Sequence, residues 1–88
     1  MSLELVGFIK RSKNRQKVFL AVEGATLPSE IVRKLYGKWS SSRYAIVSRA
    51  LSELTEKGLL KVANPDEKVG RVYLLSTKGK KLRSQLEN

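Results

Sequence analysis

A chain of 88 residues has room for one domain around one modest core, and its 41% apolar content is that of a globular protein. Lysine and arginine number 18 against 8 acids, and the resulting charge of +10 points to a polyanionic partner. With no cysteine and no histidine, disulfides, thiolate zinc sites, cysteine nucleophiles and imidazole acid–base chemistry are excluded. No apolar run approaches a membrane span, and no signal-peptide pattern opens the chain. The few acids are not paired as a catalytic dyad or a magnesium site needs, so neither an enzyme nor a cofactor is expected. The lack of cysteine suits a reducing cytoplasm.

In chain order, "LELVGFIK" (3–10) is apolar and reads either as a short helix or as an extended arm. "KRSKNRQK" (10–17) follows with five positive charges and no negative one. Ser12 is an N-cap candidate, and "SKNRQKVFLAVEG" reads as a helix ending at Gly24, with Val18, Phe19 and Val22 as its buried stripe. Cations in its first turns oppose the helix dipole. Either they face water in an ordinary solvated turn or the charge is used elsewhere.

"TLPSEIVRKLYG" predicts a second helix, with Pro28 at its first position and Gly37 as its stop. Glu30 stands where a capping box places its acid, although Leu27 has no hydroxyl and Thr26 is the other candidate cap. Ile31 and Leu35 face the core, with Val32 a further candidate. "KWSS" is a short turn, and Ser40 or Ser41 caps a third helix that runs to about Lys57, with Gly58 as its stop. Two helices joined by a tight glycine-containing turn make a helix-turn-helix.

"LLKVA" (59–63) and "RVYLLS" (71–76) read as strands around the turn residues "NPDEKVG", a hairpin with a long charged tip. "TKGKKLRSQLEN" predicts a C-terminal helix capped by Ser76 or Thr77, with Leu82 and Leu86 on one side. Three helices, a hairpin and a helix form the order of a winged helix-turn-helix. The expected fold is therefore α+β, mainly α, in one domain over 1–88: a three-helix core, a wing at 59–76 and a C-terminal helix.

The third helix (about 41–57) has two unlike faces. At about 100° per residue, Val47, Ala50, Leu51 and Leu54 cluster as an apolar stripe. Ser42, Ala45, Arg49 and Ser52 lie opposite, and Ser48 lies on a flank. A solvated face normally mixes both signs of charge, whereas this one is small and hydroxylic, with its acids held back to Glu53 and Glu56. Small side chains let a helix backbone approach a major groove, hydroxyls bond phosphates or base edges, and arginine bonds guanine bidentately. DNA contacts are expected from Ser41, Ser42, Arg43, Ala45, Ser48, Arg49 and Ser52, with Lys68 and Arg71 added by the wing on the backbone or in the minor groove. Tyr44 suits either packing on the second helix or a contact. Trp39 suits either packing across the corner or a phosphate bond through its indole N–H.

At "IVSRALSELTEKGLLKV" and "GRVYLLSTKGKKL" the chain resembles the small archaeal and bacterial winged-helix transcriptional regulators of the MarR and ArsR type. The "VSRAL" stretch, the "LTEKGL" exit into the wing and the "LSTKG" after it carry the resemblance, with "RSKNRQKV" and "PSEI" upstream. It implies double-stranded DNA binding by a homodimer, with the helix around Ser48 and Arg49 in the major groove. The turn "YGKWSSSRY" is longer than in that group, and the metal-ligating cysteines and histidines and the long flanking helices are missing. No small-molecule effector site is evident.

Dimerisation is expected through Leu3, Leu5, Phe8 and Ile9 and through Leu82 and Leu86, the last two having packing on their own domain as the alternative. The competing functions are non-specific nucleic-acid binding, to chromatin or RNA, and a winged-helix module that binds protein. Sequence-specific RNA readers usually stack bases on exposed aromatics, and most of the six aromatics here look like core.

Overall fold

Between Leu3 and Glu87, the residues that this computed structural model describes, five helices and one hairpin form a mainly helical α+β fold. The order is α1 (Leu3–Lys10), α2 (Lys13–Ala21), α3 (Pro28–Tyr36), α4 (Ser41–Glu56), β1 (Leu60–Val62), β2 (Tyr73–Leu75) and α5 (Thr77–Glu87). Asn88, which the expected last helix includes, lies outside the described residues. No described helix is long and apolar enough to cross a membrane.

Each helix start has a local cause. The apolar segment 3–10 is a helix and not an extended arm, because Ile9 is drawn wholly into the core. Ser12 caps α2, its hydroxyl accepting the Arg15 N–H at 3.1 Å. Pro28 opens α3, and the Glu30 carboxylate accepts the Leu27 N–H at 2.9 Å. Only that half of a capping box forms, since the Leu27 side chain has no acceptor. Ser40, not Ser41, caps α4 through the Arg43 N–H, and Ser76, not Thr77, caps α5 through the Gly79 N–H.

α2 ends at Ala21, not at Gly24. Val22 is already extended, and Gly24 sits in the turn beyond with φ of 59°. The chain leaves the helix early because Thr26 is needed elsewhere. Its N–H donates to the Tyr73 carbonyl at 2.9 Å, and the Tyr73 N–H donates back at 2.8 Å. The Thr26 hydroxyl is occupied by the Glu23 carbonyl at 2.9 Å, so it does not cap α3. Thr26 thereby adds a one-residue third strand beside β2.

The hairpin strands are shorter than the sequence suggests. Leu60, Lys61 and Val62 pair antiparallel with Leu75, Leu74 and Tyr73. Beyond them Asn64 replaces ladder bonds with its side chain, accepting from Val72 N–H at 2.7 Å and donating to the Gly70 carbonyl at 3.1 Å. The Ala63 N–H still donates to the Val72 carbonyl at 2.8 Å, and residues 64–71 form a tip without backbone ladder bonds between its two sides.

α4 runs through the centre, packed on α2, α3 and β1. Its stripe of Val47, Ala50, Leu51 and Leu54 is buried against Phe19, Ile31 and Leu59 among others. Each such large side chain contributes about 1.5–3 kcal/mol relative to exposure. Ile31 and Val32 are fully buried, and Leu35 is half-buried. Ile9 and Leu82, expected at a dimer contact, are 0% and 4% exposed inside this same core. Leu5, Phe8 and Leu86 are half-buried against it. The apolar residues at both ends of the chain therefore close their own domain first, and Leu3 alone of the six stands clear at 79% exposure.

Candidate nucleic-acid interface

The cap at Ser40 fixes the phase of α4, and the buried stripe fixes its rotation. What remains outward is Ser41, Ser42, Arg43, Ala45, Arg49 and Ser52, all exposed, with Ser48 half-buried beside them. This is the face that the helical wheel separates from the core. Its first three turns carry no carboxylate.

Arg49 is the cation at the middle of that face. It makes no ion pair and no hydrogen bond among the described residues. Glu53 is four residues on, the spacing at which a helix normally pairs its charges. That carboxylate is already engaged by another residue. Arg15, from α2, reaches Glu53 Oε1 with Nε at 3.4 Å and Nη2 at 3.3 Å. The same guanidinium donates to the Phe8 carbonyl and lies 4.0 Å from the Phe8 ring centroid. Arg15 is only 16% exposed. It belongs to the structure and not to the solvated surface, and its effect is to leave Arg49 unneutralised. The sequence holds one sign of it, a cation placed against the helix dipole in the first turn of α2.

Between the start of α2 and this flank of α4 lies an open cleft of about 450 Å³, lined by Ser12, Asn14, Arg15, Ala45, Arg49 and Glu53 among others. Ser12 and Asn14 are functional candidates that periodicity does not reveal, because they border α4 only through the packing of α2. Lys13 and Lys17, exposed on α2, add to the positive charge of the helix.

The start of α4 carries an aromatic corner. The Arg43 guanidinium lies 4.6 Å from the Tyr36 ring centroid, so it is drawn back over α3 and does not extend along the outer face. Trp39 and Tyr44 have ring centroids 5.1 Å apart, tilted by 49°. Tyr44 is half-buried against the core, and Trp39 keeps half its surface open. Both therefore pack across the corner between α3 and α4.

At the hairpin, Lys68 is exposed at the tip among Asp66 and Glu67. Arg71 is half-buried, and its Nε donates to the Glu67 carbonyl at 2.7 Å. It braces the tip, which leaves Lys68 as the freer of the two expected contacts. The nine expected residues thus divide. Ser42, Ala45, Arg49 and Ser52, with Ser48 beside them, share one surface. Ser41 and Arg43 belong to its capped end, and Lys68 and Arg71 belong to a separate element. No protein-family model, no curated protein and no solved structure matches the chain.

Proposed function

We propose that the chain is a winged helix-turn-helix protein of the MarR and ArsR type that binds double-stranded DNA as a transcriptional regulator. In this reading α4 lies in the major groove and the hairpin is a wing on the backbone or in the minor groove. One observation carries it: the outer face of α4 is small, hydroxylic and free of acids for three turns, with an unpaired Arg49 at its centre. Ala45, Ser42 and Ser52 allow the close approach that a groove demands, and a guanidinium without a partner is free to bond a base edge. The order α2, Thr26, α3, α4, hairpin supports the winged-helix reading. The charge of +10 supports a phosphate-bearing partner. The large exposed apolar side chains Leu3, Trp39 and Val69 stand on three separate elements, which disfavours a protein-docking surface on α4. Two copies are proposed to act together, because one such module reads too few base pairs for specificity.

The test is selection from random duplex DNA at two salt concentrations. Two inverted half-sites about one helical turn apart, retained at the higher salt, are the expected outcome. Arg49→Ala then weakens the selected site by about 1–3 kcal/mol while non-specific binding changes little. If no sequence is enriched and affinity collapses with salt alone, the chain coats nucleic acid without reading it. If Arg11→Ala or Lys13→Ala abolishes specific binding and Arg49→Ala does not, α4 is not the reading element.

A further inference from the structure

The start of α5 runs against its own helix dipole. Lys78, Lys80 and Lys81 stand in its first turns, where a helix favours acids, and no acid precedes Glu87 within it. Arg15 meets the same cost at the start of α2, and there Glu53 and Phe8 offset it. The lysines of α5 have no such partners. Among the described residues Lys80 and Lys81 make no ion pair and no hydrogen bond, and Lys78 donates to the Lys57 carbonyl at 3.3 Å. Nothing in their own domain uses the charge of Lys80 and Lys81.

At about 100° per residue, Thr77, Lys80, Lys81 and Ser84 fall on the side of α5 away from the buried Gly79 and Leu82, and all four are exposed. This face repeats the chemistry of the outer face of α4: hydroxyls, cations and no carboxylate. Where α4 has arginine it has lysine, a point charge that holds a phosphate without the fork that reads a base. The face is firmly held. A Cβ at Gly79 would collide with the Leu59 carbonyl, so the glycine lets the helix start lie directly on that backbone. Ser76 Oγ accepts the Gly79 N–H and donates to the Gly58 carbonyl, and Arg83 donates to the Val22 carbonyl at 2.6 Å. None of these anchors belongs to the outer face of α4. α5 rests on α1 and β2, whereas α4 rests on α2, α3 and β1, and both bury side chains in one core. The two outer faces therefore leave that core on different sides.

We propose that the outer face of α5 is a second DNA surface, which holds the phosphate backbone of a separate duplex, so that one chain joins two duplex segments. Charge complementarity selects the occupant. Lys80 and Lys81 are adjoined by Lys78, whose ammonium lies against residues 57–58, and by the exposed Lys57 at the end of α4. No large apolar side chain stands exposed on α5, so a protein partner has nothing to bury there. Hydroxyls and lysines suit phosphate contacts, which position a duplex without specifying its sequence. α5 begins at the C-terminal end of α4 and faces away from the shared core, so a duplex lying over Arg49 does not meet it. A chain seated at its site through α4 thus draws in a second stretch of DNA of any sequence. The joining of two duplexes rests on the reading of α4 as a DNA-binding helix, whereas the phosphate surface on α5 does not.

A bead-bound duplex tests it. The bead duplex carries the site selected for the chain, or a random sequence if none is selected. It is saturated with the full chain, and capture of a free labelled duplex of unrelated sequence is measured per bound chain. Capture is expected at about 50 mM salt and is lost by about 200 mM, because it rests on phosphate contacts alone. The double variant Lys80→Ala/Lys81→Ala, folded by circular dichroism and still bound to the bead duplex, lowers capture about tenfold and its salt slope by about two units. Lys10→Ala/Arg33→Ala, which removes the same charge from α1 and α3, leaves capture unchanged. A wild-type chain that captures no second duplex overturns the inference. Capture that survives Lys80→Ala/Lys81→Ala comes from copies associated with one another and overturns it as well, as does an equal loss in the control variant. Retention on phosphatidylserine vesicles that needs Lys80 and Lys81, without duplex capture, overturns DNA as the partner. The two readings fail separately. Bead binding that needs Arg49 without any capture removes the second surface alone. Bead binding that needs Lys80 and Lys81 and ignores Arg49→Ala removes α4 as the reading element, and with it the joining of two duplexes.

Discussion

Arg15 enters α2 three residues after its cap, where a positive charge meets the positive end of the helix dipole. The Glu53 carboxylate, the Phe8 carbonyl and the Phe8 ring together offset that cost. Arg15→Ala is expected to destabilise the fold by about 1–3 kcal/mol, since a half-buried carboxylate and a carbonyl lose a charged donor at once. Each kcal/mol lowers the melting temperature by about 4–8 °C in a domain of this size. The same change releases Glu53 toward Arg49, so binding through α4 should fall even well below the melting transition. An unchanged melting curve would remove Arg15 from the structural account. Gly79→Ala should lower stability by about 1–3 kcal/mol by pushing α5 off the Leu59 backbone. Glu23 titrates low, held there by the hydrogen bond from Lys34 at 3.1 Å, by the charge of Lys34 and more weakly by that of Arg83. Its pKa is depressed on folding, so its contribution is present above the ordinary glutamate value of about 4.3 and is lost as pH falls through the folded value. Urea melts on the acid side should show this loss, and Glu23→Gln should flatten it.

At the scale of elements, α4 was the most legible part of the sequence. A sixteen-residue helix repeats its period four times over, so both its faces and its serine cap follow from spacing. Ser40→Ala should cost about 1 kcal/mol, measurable by thermal melting, through the loss of that cap. The hairpin and the helix starts were legible from turn chemistry. Where α2 ends was not, because the cause lies at Tyr73, far along the chain from Thr26. The Arg15–Glu53 pair is hidden for the same reason. The apolar character of α1 and α5 offered Ile9 and Leu82 as dimer contacts, and both lie in the core of their own domain. It could not say whether their own core or a second copy buries them, since hydrophobic burial has no direction. On the outer surface of α4 the spacing identified which residues stand together. It did not show that Arg43 turns back onto Tyr36 or that Arg71 braces the tip, as these depend on side chains meeting across a corner and a loop.

For the whole molecule, the distribution of charge matters more than its total. Among the described residues, Arg15, Lys34 and Arg83 are the cations held in ion pairs, out of 18 lysines and arginines. The rest repel one another over a molecule whose radius of gyration is 12.3 Å, little more than a Debye length of about 10 Å at 0.1 M salt. Salt should therefore act in opposite directions on two properties. Raising it screens the self-repulsion and lifts the melting temperature, while on the proposed reading it weakens binding to nucleic acid by removing the gain from counterion release. A melting temperature that falls with added sodium chloride would contradict this balance. Lys68→Ala should reduce the salt slope of DNA binding by about one unit if the hairpin tip meets a phosphate.

The Thr26–Tyr73 bridge has a further consequence for the isolated chain at high concentration. β2 is held by β1 on one side and by Thr26 on the other, so Tyr73 has no open backbone to offer. The borders left are then the two residues of β2 beyond Tyr73 and the three residues of β1, with the exposed Lys61 at the centre of β1. Borders this short, one of them carrying a lysine, are poor templates for strand addition from a neighbouring molecule. Without Thr26 in place, β2 would present an apolar edge beside Leu74 and Leu75, and crowding would favour aggregation over assembly.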